Sequence, residues 1–88
     1  MLKITKIDSE GEQRLILEGR LTLPWIAELG FHWRETREAH PERKFVVDVR
    51  GVLRIDSAGE GALALMKTEG ATFLASGVRM KHLIEDLS

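Results

Sequence analysis

Val52-Leu53-Arg54-Ile55-Asp56-Ser57-Ala58-Gly59-Glu60-Gly61 sets an apolar, extended segment directly against an Asp-Ser-small-Gly turn. Such a junction reads as the end of a strand followed by the start of a helix. A serine in the first turn of a helix lies among unpaired backbone amides and near the positive end of the helix dipole. Both favour an anion such as a phosphoryl group there. Gly59 leaves that space without a side chain, and Asp56 places a charge beside the hydroxyl. The same residues also match a capping box, in which the Ser57 oxygen accepts from the Glu60 amide and the Glu60 side chain returns to the Ser57 amide. That arrangement contributes about 1 kcal/mol of helix stability. The two roles conflict, because a capping oxygen that carries a phosphoryl group gives up its geometry.

Upstream of the junction, Lys44-Phe45-Val46-Val47-Asp48-Val49 is nearly continuous in apolar residues. This predicts a central strand covered on both faces, continued in extended form by Gly51 to Ile55. His40-Pro41-Glu42 closes a helix predicted over about Leu23 to Ala39, which Thr22 can cap and whose first turn accommodates Pro24. Trp25, Ile26, Leu29, Trp33 and Thr36 share one face of it at the 3.6-residue period. Gly30 weakens it by about 1 kcal/mol relative to alanine. Phe31 points away from that stripe, either as an ordinary exposed apolar residue or as part of a partner or dimer surface. Leu2, Ile4 and Ile7, then Leu15 and Leu17, flank the turn-forming Asp8-Ser9-Glu10-Gly11-Glu12 and predict a β-hairpin.

Downstream, a second helix is expected from about Ala58 to Glu69, closed by Gly70, and a buried strand over Ala71 to Ala75. Ser76-Gly77 then leads into a last helix in which Met80, Leu83, Ile84 and Leu87 recur at i, i+3, i+4 and i+7. The order ββαβαβα predicts an α/β fold, a small four-stranded mixed β-sheet with three helices. Helices joining successive strands make the later strands parallel and the crossovers right-handed.

Eighty-eight residues with 43% hydrophobic and 31% charged content predict one domain over residues 1–88. No apolar run approaches the ~20 residues of a membrane-spanning helix. The alternating start Met1-Leu2-Lys3-Ile4-Thr5-Lys6 lacks the hydrophobic stretch of a secretory signal, which predicts a cytoplasmic protein. Thirteen basic residues against 14 acidic ones give a net charge of −1. The densest basic group, Arg34, Arg37, Arg43 and Lys44, is interleaved with Glu35, Glu38 and Glu42, as on a solvated helix face. Direct nucleic-acid binding is not expected from it.

Together with the element order, Asp56-Ser57-Ala58-Gly59 resembles the STAS (sulfate transporter and anti-sigma antagonist) domains. In these an apolar segment is followed by Asp-Ser-(Ser, Thr or Ala)-Gly at the start of the second helix. Leu17-Glu18-Gly19-Arg20-Leu21 occupies the place of that family's Gly-Glu-Leu-Asp strand end, Val47-Asp48-Val49 that of its central strand, and Gly70 to Gly77 that of the strand before the third helix. The resemblance implies a regulatory module that binds a partner acting as both serine kinase and anti-sigma factor. By position it makes Ser57 the phosphorylated residue, with only the unmodified form engaging the partner. Phosphorylation would add about two negative charges to the contact surface. The surrounding positions expected to touch a partner are Asp56, Ser57, Ala58, Gly59 and Glu60, with Phe31 as a further candidate. The sequence departs from the family at Glu60, usually apolar, at Arg54, usually aromatic or apolar, and at Arg20-Leu21-Thr22 in place of Glu-Leu-Asp. Glu60 would set a carboxylate near a phosphoryl group on Ser57. A STAS-like scaffold that binds a protein or small ligand without phosphorylation is therefore the alternative.

Ser57 and Asp56 with His32, His40 or His82 also supply the residue types of a serine hydrolase, but the turn lacks the Gly-x-Ser-x-Gly spacing of a nucleophile elbow. The dispersed histidines and the absence of cysteine predict no metal site, and no glycine-rich phosphate loop points to a cofactor.

Overall fold

The computed structural model describes residues 1–87. Two antiparallel strands, β1 (Leu2–Ser9) and β2 (Glu12–Leu21), meet at the Glu10-Gly11 turn with Ser9 opposite Glu12, so the predicted hairpin forms. Along β2 the period-2 alternation sends Leu15, Leu17 and Leu21 into the core, all at most 1% exposed. Helix α1 (Leu23–Ala39) has the bounds expected from its periodicity. Leu29, Trp33 and Thr36 form its buried line, while Trp25 and Ile26 are only half-buried at its near end.

Strand β3 (Lys44–Ile55) runs through the whole apolar segment and its extension. It lies parallel to β2 and to β4 (Thr72–Leu74), giving the strand order β1-β2-β3-β4. The sheet is thus mixed, as expected, although β4 is shorter than the predicted Ala71 to Ala75 and β2 shares the interior with β3. Helices α2 (Ser57–Thr68) and α3 (Val78–Asp86) complete the ββαβαβα order.

The expectation that β3 is covered on both faces holds, since Phe45 to Val49 are all buried, but the two faces are covered by different means. Phe45, Val47 and Val49 join Leu29 and Trp33 of α1 and Leu63 and Met66 of α2 in one apolar cluster. Val46 and Asp48 alternate onto the other face, beside Arg14, Ile16, Thr72 and Leu74 of the neighbouring strands, and Val46 stands outside that cluster. Side chains rather than a helix shield this face. Arg50 turns back over Asp48 with Nε and Nη2 donating at 3.0 and 2.7 Å, and its backbone amide donates as well. The apolar run was continuous for two different reasons.

Trp33 ties the layers together at the far end of α1. Its ring stands edge-on to Phe45 at 5.6 Å, and its Nε1 donates to Glu69 Oε1 at 2.8 Å, where Arg37 pairs with the same carboxylate. At the near end β2 and β3 finish side by side, with Leu21 opposite Ile55. Because α1 and α2 start directly after these two strands, their N-termini come together at one end of the sheet.

Candidate functional site

Asp56, not Ser57, caps the second helix. Its backbone is extended, with φ −107° and ψ −176°, which leaves the carboxylate free to reach two helix starts at once. Oδ1 accepts from the Gly59 amide at 2.8 Å and Oδ2 from the Leu23 amide at 2.9 Å. Thr22, expected to cap α1, contributes no side-chain bond. A single carboxylate therefore satisfies orphan amides of both helices, and the Gly59 and Leu23 amides hold it below the ordinary aspartate pKa.

This arrangement changes the roles of the neighbouring residues. Ser57 is the first residue of α2, exposed, and its hydroxyl makes no hydrogen bond among the described residues. The capping box does not form, because the cap lies one residue earlier and the Glu60 amide donates to the Asp56 carbonyl at 2.9 Å. Asp56 already occupies the electropositive end of α2, so the space that the sequence offered to an anion is filled by the protein's own carboxylate. Gly59 serves packing instead of clearance around the hydroxyl. A Cβ there would lie 2.2 Å from the Leu21 carbonyl oxygen and 2.9 Å from Ile55 Cγ1, so its absence lets α2 sit against the ends of β2 and β3. Ala58 is half-buried and Glu60 is exposed.

Two depressions border this turn. One, of about 840 Å³, lies between the end of β3 and the start of α3, with Val52, Leu53, Arg54, Asp56, Val78 and Arg79 among its walls. The other, of about 500 Å³, separates α2 from α3 and brings Glu60 and His82 to the same cleft. Leu53 and Val78 in the first are 83% and 73% exposed, and Leu23, next to its Thr22 wall, is 68% exposed. Phe31 is also exposed, stacked edge-on to His32, but it lines neither depression and is not brought together with Asp56 to Glu60.

Sequence reasoning passed over Leu53. In register Gly19 faces Val52 and Arg20 faces Arg54, so Leu53 is the extra residue of a β-bulge and turns outward where plain alternation would align it with the inward Ile55. A bulge leaves no reliable mark in the sequence. Gly19, with φ +100°, was the available hint, since a Cβ there would strike the Met1 carbonyl oxygen at 2.4 Å.

Among the described residues no catalytic constellation surrounds Ser57. His32 approaches Glu28 at 3.9 Å, His40 approaches Glu42 at 3.7 Å, and none of the three histidines hydrogen-bonds the Ser57 hydroxyl. Among the described residues no cluster of three His, Asp or Glu side chains is placed to hold a metal ion, and no helix is long and apolar enough to cross a membrane.

No protein-family model matches the sequence, and no curated protein matches it. Among solved structures, the chain is similar to the anti-sigma factor antagonist SpoIIAA in its unphosphorylated form, with a TM-score of 0.74 and 12% sequence identity over 97% of this chain and 82% of that one. The fold is therefore STAS-like, an α/β arrangement of a four-stranded mixed sheet and three helices.

Proposed function

We propose that this chain is a non-enzymatic, cytoplasmic regulatory module that binds a protein partner through the end of the sheet where α1 and α2 begin. The observation that carries the proposal is a groove lined by the exposed apolar side chains of Leu53 and Val78 and by Asp56, the residue before Ser57, with exposed Leu23 next to its Thr22 wall. Apolar side chains exposed together at one end of a small domain mark a recognition surface. The fold of an anti-sigma factor antagonist supports a partner of the anti-sigma kinase type.

Ser57 is the position at which such a partner would switch the complex. Its hydroxyl is exposed and free of any capping duty, so a phosphoryl group attached there leaves the Asp56 cap intact. It adds about two negative charges at the rim of the apolar patch, which penalises an interface packed against the neutral serine. A second reading, constitutive binding without phosphorylation, is favoured by Asp56 and Glu60, which already set two carboxylates in the opening turns of α2.

Wild type, Ser57→Ala and Leu53→Asp should be incubated with every anti-sigma kinase of the host and a nucleoside triphosphate. The proposal expects a complex with wild type and Ser57→Ala, lost in Leu53→Asp, and phosphoryl transfer to wild type alone. Complex formation without transfer selects the constitutive reading. Absence of any complex across the full set removes the anti-sigma assignment.

A further inference from the structure

We infer that the partner segment received at this end of the sheet is acidic, carrying Asp or Glu beside an apolar anchor. This rests on the recognition surface proposed above and specifies its chemistry. Arg14, Arg37, Arg43 and Arg50 each pair with a carboxylate of the chain. Of the other four arginines, Arg34 lies on α1, and Arg20, Arg54 and Arg79 gather at the groove end. None of these three forms an ion pair among the described residues, and all are exposed.

Arg20 and Arg54 are direct neighbours across the parallel β2–β3 ladder. Like charges placed opposite each other destabilise a sheet unless a counter-charge relieves them. The nearby acids do not supply one. Both Asp56 oxygens are engaged by the Leu23 and Gly59 amides, while Glu18 and Glu60 are exposed and in no ion pair. Arg54 and Arg79 stand on the two sides of the groove, with Leu53 and Val78 alongside. An apolar anchor between flanking guanidinium groups fits a segment that offers carboxylates on either side of a Leu-, Ile- or Phe-type residue. Nucleic acid fits less well, because three arginines on a chain of net charge −1 supply few phosphate contacts and leave the apolar ring unused.

Random short peptides displayed on phage, panned against the full chain, test the inference. Enriched sequences should combine Asp or Glu with a large apolar residue. A synthesised representative should bind about tenfold more weakly to Arg20→Glu/Arg54→Glu, and to lose comparable affinity on wild type as salt rises. The salt titration uses wild type alone, so it stands even if the double variant folds poorly. Peptides that require Leu53 but are neutral or basic would overturn the acidic inference and leave the recognition surface standing. Peptides that bind Leu53→Asp as well as wild type would overturn both. An oligonucleotide held by the same arginines, with no selection for acidic peptides, would also overturn it.

Discussion

Asp56 bridges sequence-distant helix starts, with α1 and α2 meeting at one carboxylate because β2 and β3 end in register. Removing it leaves the Leu23 and Gly59 amides without their acceptor, whereas removing the Ser57 hydroxyl breaks nothing among the described contacts. Urea unfolding should therefore place Ser57→Ala within about 0.5 kcal/mol of wild type, with Asp56→Ala clearly less stable than either. The reverse order would return the cap to Ser57. The charge of Asp56 has its own signature. Its folded pKa is held low by the Gly59 amide first and the Leu23 amide second, so its stabilisation is complete above the unfolded value of about 3.9 and is lost as pH falls through the folded value. Asp48, lowered chiefly by the Arg50 side chain, contributes with the same sign. Unfolding followed below about pH 4 should show a shallower acid loss in Asp56→Asn than in wild type, and an identical slope would deny Asp56 that role. The sequence pointed to Ser57 as the cap through its match to a capping box, although aspartate is as favoured a residue type at that position. What separates them is the Leu23 amide, supplied from 33 residues away by the pairing of strands.

Glycines in α2 distinguish packing from mere helix weakening. Gly59 is buried against the Leu21 carbonyl, whereas nothing lies within 4 Å of a Cβ built at Gly61. Gly59→Ala must push the helix from the strand ends and should cost about 2 kcal/mol or more. Gly61→Ala gains helix propensity in open space and should stabilise by roughly 0.5–1 kcal/mol. Paired thermal or urea denaturation checks both signs at once. Periodicity made the larger elements legible: the 3.6-residue spacing of Leu29, Trp33 and Thr36 gave α1, and the apolar segment through Phe45 to Val49 gave β3. It was blind to features created by neighbouring strands. The bulge that turns Leu53 outward, the pairing of Arg20 with Arg54 and the side-chain cover over Val46 all depend on register, which local pattern does not carry. The candidate turn was visible in the sequence for the same reason that its apolar rim was not: Asp56 to Gly59 is a local motif, and Leu23, Leu53 and Val78 are assembled from three separate elements.

Stability is distributed unevenly across the molecule, and the unevenness falls on the groove. Strand β3 has five consecutive buried residues and a partner strand on each side, so its amides open only when much of the fold does. Helix α3 has no fully buried residue. Met80, Leu83 and Ile84 lean on the core half-exposed, and Lys67 of α2 donates from Nζ to the Ile84 and Leu87 carbonyls at 2.9 and 3.2 Å. Those bonds reach carbonyls at the helix C-terminus, of which that of Ile84 also accepts from the Leu87 amide at 3.3 Å, and they place a cation at the negative end of its dipole. With few buried contacts and one such fastening, α3 is expected to open by itself. Since Val78 and Arg79 form one wall of the groove and Leu53 and Arg54 of β3 the other, the groove has one firm side and one adjustable side. Native-state hydrogen exchange should accordingly find the α3 amides exchanging far faster than those of Phe45 to Val49. Lys67→Met keeps much of the side chain's apolar length and removes both bonds, so it should speed exchange in α3 by about tenfold while leaving β3 close to wild type. Equal acceleration in both elements would mean that α3 is coupled to the whole fold, and that the groove opens only when the sheet does.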